Sequence, residues 1–339
     1  MNLQNYKKGM FHFYQKVYFR YLTWLAIGFL PFILKSDYHK DCLVLTLLWA
    51  GVAMGWNILG GYAGQLSIGH AAFFGMGAYV STLLYMNYGL SPWIGMLIGG
   101  LIVVVFAGFV GLITLRLRGP FFVLATIAYA EVMRISAISW RSLTRGSFGI
   151  FIPSNLGFWN MTWRGKDAYI WLTLVYMLLV YIVCRTIESR KFGYYLVALR
   201  ENNAAALALG IDTTKMKVLA TLISAFITAI GGSIYAQYMM FVEPSTVFGI
   251  MWSVQIALIA IVGGLGIAGG PILGAFLLIP LSTFFKGALT KYSGLSGLVY
   301  GFVLIVVIFF IREGLLPKIL KLWERWGNIY YNIYKNKKA

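Results

Sequence analysis

Charge is scarce in this chain. Only 11% of its 339 residues are Asp, Glu, Lys or Arg, against roughly 25% in soluble domains. Histidine is scarcer still: His12, His39 and His70 are the full set, and no two stand at metal-ligand spacing. The two cysteines, Cys42 and Cys184, lack redox or metal spacing and are expected as free thiols. No G-x-x-x-x-G-K-[ST] occurs, which excludes a nucleotide-hydrolysing P-loop. A G-x-G-x-x-G does occur at Gly264, Gly266 and Gly269, but it joins two apolar runs and no acidic residue follows about 20 positions on. These absences remove the usual enzyme constellations and a cofactor site of the chain's own.

What is present is apolar. Hydrophobic residues make up 60% of the chain and mean hydropathy is +0.78. A bilayer core of about 30 Å needs near 20 apolar residues per helix, and such runs recur along the chain. The reading is an all-α, polytopic membrane helix bundle with about ten spans: 21–34, 42–59, 66–87, 92–115, 120–140, 168–185, 215–240, 246–263, 271–286 and 297–312. An even count places both termini on one side. Residues 1–20 mix Lys7, Lys8, Lys16 and Arg20 with Phe11, Tyr14 and Tyr18, which suits an amphipathic interfacial segment. No small-residue cleavage pattern follows 21–34, so that run reads as an uncleaved span. Residues 21–313 read as one transmembrane domain, and 314–339 as an amphipathic basic tail carrying Leu316, Ile319, Leu320, Trp323 and Trp326 near one face.

The net charge of +18 does not indicate nucleic acid, because the cations lie mainly in loops and ends. Anionic lipid headgroups and the positive-inside bias account for them. With the N-terminus inside, 19 of the 28 Lys and Arg residues fall on the cytoplasmic side. Arg116 and Arg118, in a short loop, are the better evidence. The expected topology is N-in and C-in, with an outer loop at 141–167 and a cytoplasmic loop at 186–214.

Three segments can carry function. Gly60–Tyr79 is interrupted by glycines and places Gly61, Gln65, Ser67, Gly69 and His70 near Asn57. Irregular backbone at membrane depth persists only inside protein or beside a wet cavity. A broken helix on a translocation path and tight packing are both open readings. A second interruption covers Gly263, Gly264, Gly266 and Pro271. Glu131 and Arg134 lie three apart on one face of an apolar span and read as a structural ion pair. The sequon at Asn160 is read as chance.

The third segment is a polar island from Arg185 to Lys217. Leu196–Leu209 can form one short helix, with Leu196, Leu199 and Leu207 on one side and Glu201, Ala205 and Ala208 on the other. Gly210 can end it, and Asp212, Thr213 or Thr214 can cap the next helix. Small alanines leave a smooth surface for docking in a groove.

Arg200, Glu201 and Asn202, followed by Ala205, Ala206 and Gly210, resemble the cytoplasmic coupling segment of ABC importer permeases. Together with Gly60–Tyr79, Gly263–Ala275, Leu115–Gly119 and Ala220–Ala236, this is similar to the branched-chain amino-acid permease family, in its LivM-like branch, over about residues 42–313. The resemblance implies a plasma-membrane permease subunit that is not itself an enzyme. It implies a second related permease, as pseudo-dimer or homodimer, two cytoplasmic ATPases that bind ATP-Mg, and an extracytoplasmic solute-binding protein. Leu196, Arg200, Glu201, Asn202, Asn203, Ala205, Ala206 and Gly210 would meet the ATPase. The family commonly has an acidic residue where this chain has Asn203, and a glycine and a polar residue where it has Arg145 and Phe148. Urea or a short amide as cargo, and an ATP-independent transporter or channel, are the alternatives.

Overall fold

A computed structural model describes residues 36–117 and 119–288, with 298, 299, 301, 302, 305, 309, 314–319 and 321. The predicted segment 1–20, the span 21–34, Arg118, most of 297–312 and the tail beyond 321 lie outside the described residues.

The described chain is almost wholly helical. Helix α1 (Asp37–Asn57) runs into a π turn at Ile58–Tyr62. After an irregular stretch follow α2 (His70–Tyr88), α3 (Pro92–Thr114) and α4 (Pro120–Ser139). Pro92 and Pro120 each sit in a first helical turn, where a missing N–H costs nothing. Then come α5 (Lys166–Ser189), two short helices α6 (Lys191–Glu201) and α7 (Asn203–Ala208), and the long α8 (Thr213–Met239). Helices α9 (Ile250–Gly263) and α10 (Gly270–Ala288) complete the set. The all-α expectation needs one amendment. A two-residue antiparallel ladder, β1 (Ile150–Phe151) with β2 (Phe241–Val242), ties the long loop after α4 to the turn after α8.

Among the described residues, seven helices are long and apolar enough to cross a membrane, counting α9 with the preceding turn from Pro244 and α1 with its π turn. Helix α2 is not among them although 66–87 reads as a span. Its hydropathy falls below theirs, and the fold accommodates it: His70 to Tyr85 is largely buried against α8, α3 and α9. The chain is therefore a multi-pass helical membrane protein whose α2 is sheathed in protein.

The centre is an aromatic stack. Trp49 of α1 lies between Phe74 of α2 (5.3 Å) and Trp252 of α9 (4.5 Å), with Tyr235 of α8 beside them. Offset stacking of this kind adds about 0.5–1.5 kcal/mol per pair beyond area burial. Cys184 is fully buried and Cys42 partly so, and both are free thiols.

The helices alternate between two ends. At one, Lys40 pairs with Asp167 (2.7 Å), while Asp41 receives both Lys166 and the Tyr238 hydroxyl. At the other, the loops 63–69, 190–212 and 264–269 gather with Leu117 and Gly119.

Candidate coupling site

The polar island is built as two helices rather than one. Asn202 breaks it: its Oδ1 accepts from the amides of Ala204 (3.0 Å) and Ala205 (3.1 Å), an N-cap that restarts the chain as α7. The expected single helix over Leu196–Leu209 is thus corrected. So is its apolar side, for Leu196 and Leu199 are buried while Leu207 is half exposed. Gly210 sits at φ +80° and closes α7, with its amide on Leu207 O (2.9 Å) and that of Ile211 on Ala206 O (3.1 Å). Asp212 caps α8 by accepting from the Lys215 amide (2.9 Å). The outer surface of this elbow shows Glu201, Ala204, Ala205, Ala208 and Leu209, the last 80% exposed.

Arg200 faces the other way. Its Nη1 donates to Gly61 O in the π turn (3.0 Å), and its Nη2 holds Glu201 (2.7 Å). It lies so close to the α9–α10 loop that a Cβ at Gly266 would be 2.7 Å from Nη1. From Gly61 the contacts continue. Asn57, fully buried, accepts from the Gly266 amide at Oδ1 (3.0 Å) and donates from Nδ2 to Ile267 O (3.2 Å). Glu188, at the end of α5, accepts from the Ala268 amide (2.6 Å) and the Tyr62 hydroxyl (3.0 Å), and pairs with Arg185 (2.5 Å).

Arg200 thus ties the elbow to the π turn, and Asn57 and Glu188 tie the π turn and the end of α5 to the α9–α10 loop. The two glycine-broken segments meet here. Gly61 and Gly266 pack directly, and Gly263, Gly264 and Pro271 continue the same close packing: a Cβ on Gly263 would stand 2.9 Å from the Pro271 nitrogen. Gly314 also rests on Gly264, and Leu315 packs against the core, so the first turn of the tail (315–319) lies on this loop.

The other predicted path residues are placed apart. Ser67 and His70 are fully buried deeper in the bundle: His70 Nδ1 meets Ser67 Oγ (3.1 Å) and Nε2 meets Ser224 Oγ (2.8 Å). Gly69 is buried, and a Cβ there would run into the Tyr129 phenol and stand 2.5 Å from Thr126 O. The environment of this group is packed protein. Gln65 instead lines a cleft of about 350 Å³ between Ala63–Gln65, Leu117, Gly119 and the elbow. Asn203 lines the same cleft, and its amide oxygen is buried without a hydrogen-bond partner among the described residues.

Glu188 was not singled out from the sequence, nor were Ser224 and Tyr62. A signal existed for Glu188: it repeats the three-residue spacing to an arginine seen at Glu131 and Arg134, and it stands where a span ends.

Residues 39–308 match the family model described as the branched-chain amino acid transport system / permease component. Among curated proteins, LivM, the high-affinity branched-chain amino acid transport system permease protein of Salmonella typhimurium, is 28% identical over 89% of this chain and 75% of its own length. A probable LivM permease of Methanocaldococcus jannaschii is 24% identical over 82% of this chain and 94% of its own. The LivH permease of Escherichia coli is 27% identical over 70% of this chain and 81% of its own. No solved structure matches.

Proposed function

This chain belongs to the permease components of branched-chain amino acid transport systems, and from that premise we propose that it forms half of an ATP-driven import path for branched-chain amino acids. The other half is a second, related permease; matches to both LivM and LivH proteins support such a pair. One of two ATPase subunits docks on the elbow of α6 and α7, the other serves the second permease, and a solute-binding protein delivers cargo at the opposite end. The elbow end is then cytoplasmic, in keeping with Arg116, Arg190 and Lys191 there, and the proposed topology keeps ten spans, α2 among them, with both termini inside.

The observation that carries this reading is the Arg200–Gly61 bond. It gives a docked partner a grip on the π turn and, through Asn57 and Glu188, on the α9–α10 loop. A hydrogen bond from a charged donor is worth about 1.5–3 kcal/mol, and coupling between distant sites is typically about 1–3 kcal/mol. One such contact has the size needed to bias two states of the path. The exposed Leu207 and Leu209 supply the apolar anchors. At the far end, exposed Phe148 and Phe151 offer an aromatic edge to the binding protein.

The test is reconstitution of the complex with Arg200→Ala. ATP hydrolysis continues while leucine uptake falls at least tenfold, and the subunits still co-purify. Uptake at the wild-type rate would remove the contact from the mechanism. Labelled urea in place of leucine separates the cargo alternatives, and uptake without the ATPases would favour an independent transporter.

A further inference from the structure

Glu131 and Arg134 take no part in the coupling end. Arg134 grips Glu131 through Nε (2.9 Å) and Nη2 (2.5 Å), yet the side chains remain 28% (Arg134) and 48% (Glu131) exposed. At 1.5 Å per residue, Glu131 lies about 17 Å along α4, near mid-membrane depth. Charged side chains at that depth face protein or water rather than hydrocarbon.

The neighbouring helix shows what a lipid-facing surface looks like in this fold. The exposed side of α3 is Leu97, Leu101, Val105, Phe109 and Leu112, all large and apolar. Helix α4 is the least buried of the apolar helices, and its open side differs. It packs inward through Phe122, Thr126 and Ala130, while Leu124, Ala128, Glu131, Ile135 and Ser139 look outward. Phe121 and Val132 are exposed too, so apolar side chains continue along the face, and what sets it apart from α3 is small Ala128 beside the charged pair, with Ser136 and Ser139 beyond. Small residues admit a close neighbouring helix, and the charges need water.

We propose that this face of α4 borders a water-filled path shared with the second permease subunit, and that Glu131 and Arg134 receive the charged ends of an amino acid there. The inference rests on the import reading above. Arg134 takes the carboxylate and Glu131 the ammonium. One internal ion pair opens and two intermolecular ones form, with no change in net charge, because the cargo is a zwitterion. An uncharged solute such as urea gains nothing from the exchange. Val132 and Ile135 stand ready for an aliphatic side chain.

The experiment uses the whole transporter in membranes, with Cys42→Ser and Cys184→Ala as background. A membrane-impermeant thiol reagent is applied to Ala128→Cys and, on α3, to Val105→Cys, both at mid-depth. The path requires Ala128→Cys to react at least tenfold faster; equal rates overturn it. In parallel, Glu131→Leu with Arg134→Leu is assembled with its partners. Lipid-facing charges would be improved by that change, and wild-type leucine uptake overturns the charged site. The expected result is intact assembly with uptake reduced at least tenfold. If the unaltered transporter moves no leucine while Ala128→Cys still reacts, the cargo reading and the charged site fall and the path stands.

Discussion

Replacing Glu188 by Ala loosens the α9–α10 loop, and the size of the effect follows from its contacts. The substitution strips the Ala268 amide and the Tyr62 hydroxyl of their acceptor. Both residues are buried, at 0% and 1% exposure. Each orphaned donor costs about 1–3 kcal/mol. The Arg185 partnership adds little, because those side chains are 42% and 19% exposed and an ion pair open to solvent is worth under about 1 kcal/mol. Allowing for water entering the gap, the loop loses about 3 kcal/mol, which is about a hundredfold in its opening equilibrium. Glu188→Gln keeps the one oxygen that accepts from both donors and loses the charge and the Arg185 pairing, about 1 kcal/mol or near fivefold. Hydrogen–deuterium exchange of the reconstituted complex reads this directly, comparing peptides over 264–270 with peptides from α2. Faster exchange confined to the loop, ordered Ala above Gln above wild type, is expected. Unchanged exchange at the loop, or an equal rise in α2, would refute the clamp.

Gly210→Ala forces a left-handed backbone on a residue with nothing within 4 Å of its new Cβ, so its cost is backbone alone, about 1–2 kcal/mol. The complex stays assembled and fewer leucines are imported per ATP, measured as an uptake-to-hydrolysis ratio. Gly61→Ala drives a methyl into Asn57 Oδ1 and to 2.6 Å from the Gly266 nitrogen. Overpacking of this kind costs about 1–3 kcal/mol or more, and the Tm of the purified complex drops by several degrees. His70→Ala leaves the hydroxyls of Ser67 and Ser224 without their ring partner and opens a cavity, for about 3–5 kcal/mol. It lowers Tm and abundance, but the leucine KM of the surviving complex is unchanged; a raised KM would return His70 to the path.

Much of the bundle could be read from the sequence because lipid imposes so narrow a choice on apolar runs of this length. The starts of α3 and α4 were marked by Pro92 and Pro120. The broken segments were legible because glycine clusters inside apolar runs have few other uses. The break inside the island was not anticipated, although Asn202 ahead of alanines is a cap signal; a run of helix formers on both sides concealed it. The meeting of Asn57 with Gly266 and Ile267, separated by about two hundred positions in the chain, has no local mark at all. Nor does the ring of His70 between two serines, one of them on α8. Such pairings are set by how helices stack, and a period read along one helix says nothing of its neighbour's register. Leu207 failed for a related reason: a continuous helix puts it beside Leu199, whereas a chain that restarts at Asn202 turns it outward.

The clamp has a chemical pattern that bears on how work could pass through it. Arg200, Asn57 and Glu188 all reach main-chain atoms: Gly61 O, the Gly266 amide, Ile267 O and the Ala268 amide. A side-chain pair can follow a moving helix by changing rotamers. A bond to backbone cannot, because the carbonyl or amide turns only when its peptide plane does. These contacts therefore report backbone conformation, and they do so where the backbone is least regular, in the π turn and the α9–α10 loop. π turns inside helices are common at functional positions because a small shift of register restores an α-helix. A switch needs two arrangements that differ in contacts made with each partner. The π turn, held from the elbow by Arg200 and bonded to the α9–α10 loop through Asn57, joins the proposed ATPase docking site to the second glycine-broken segment. Rigid packing around His70 just above it gives that movement something to act against.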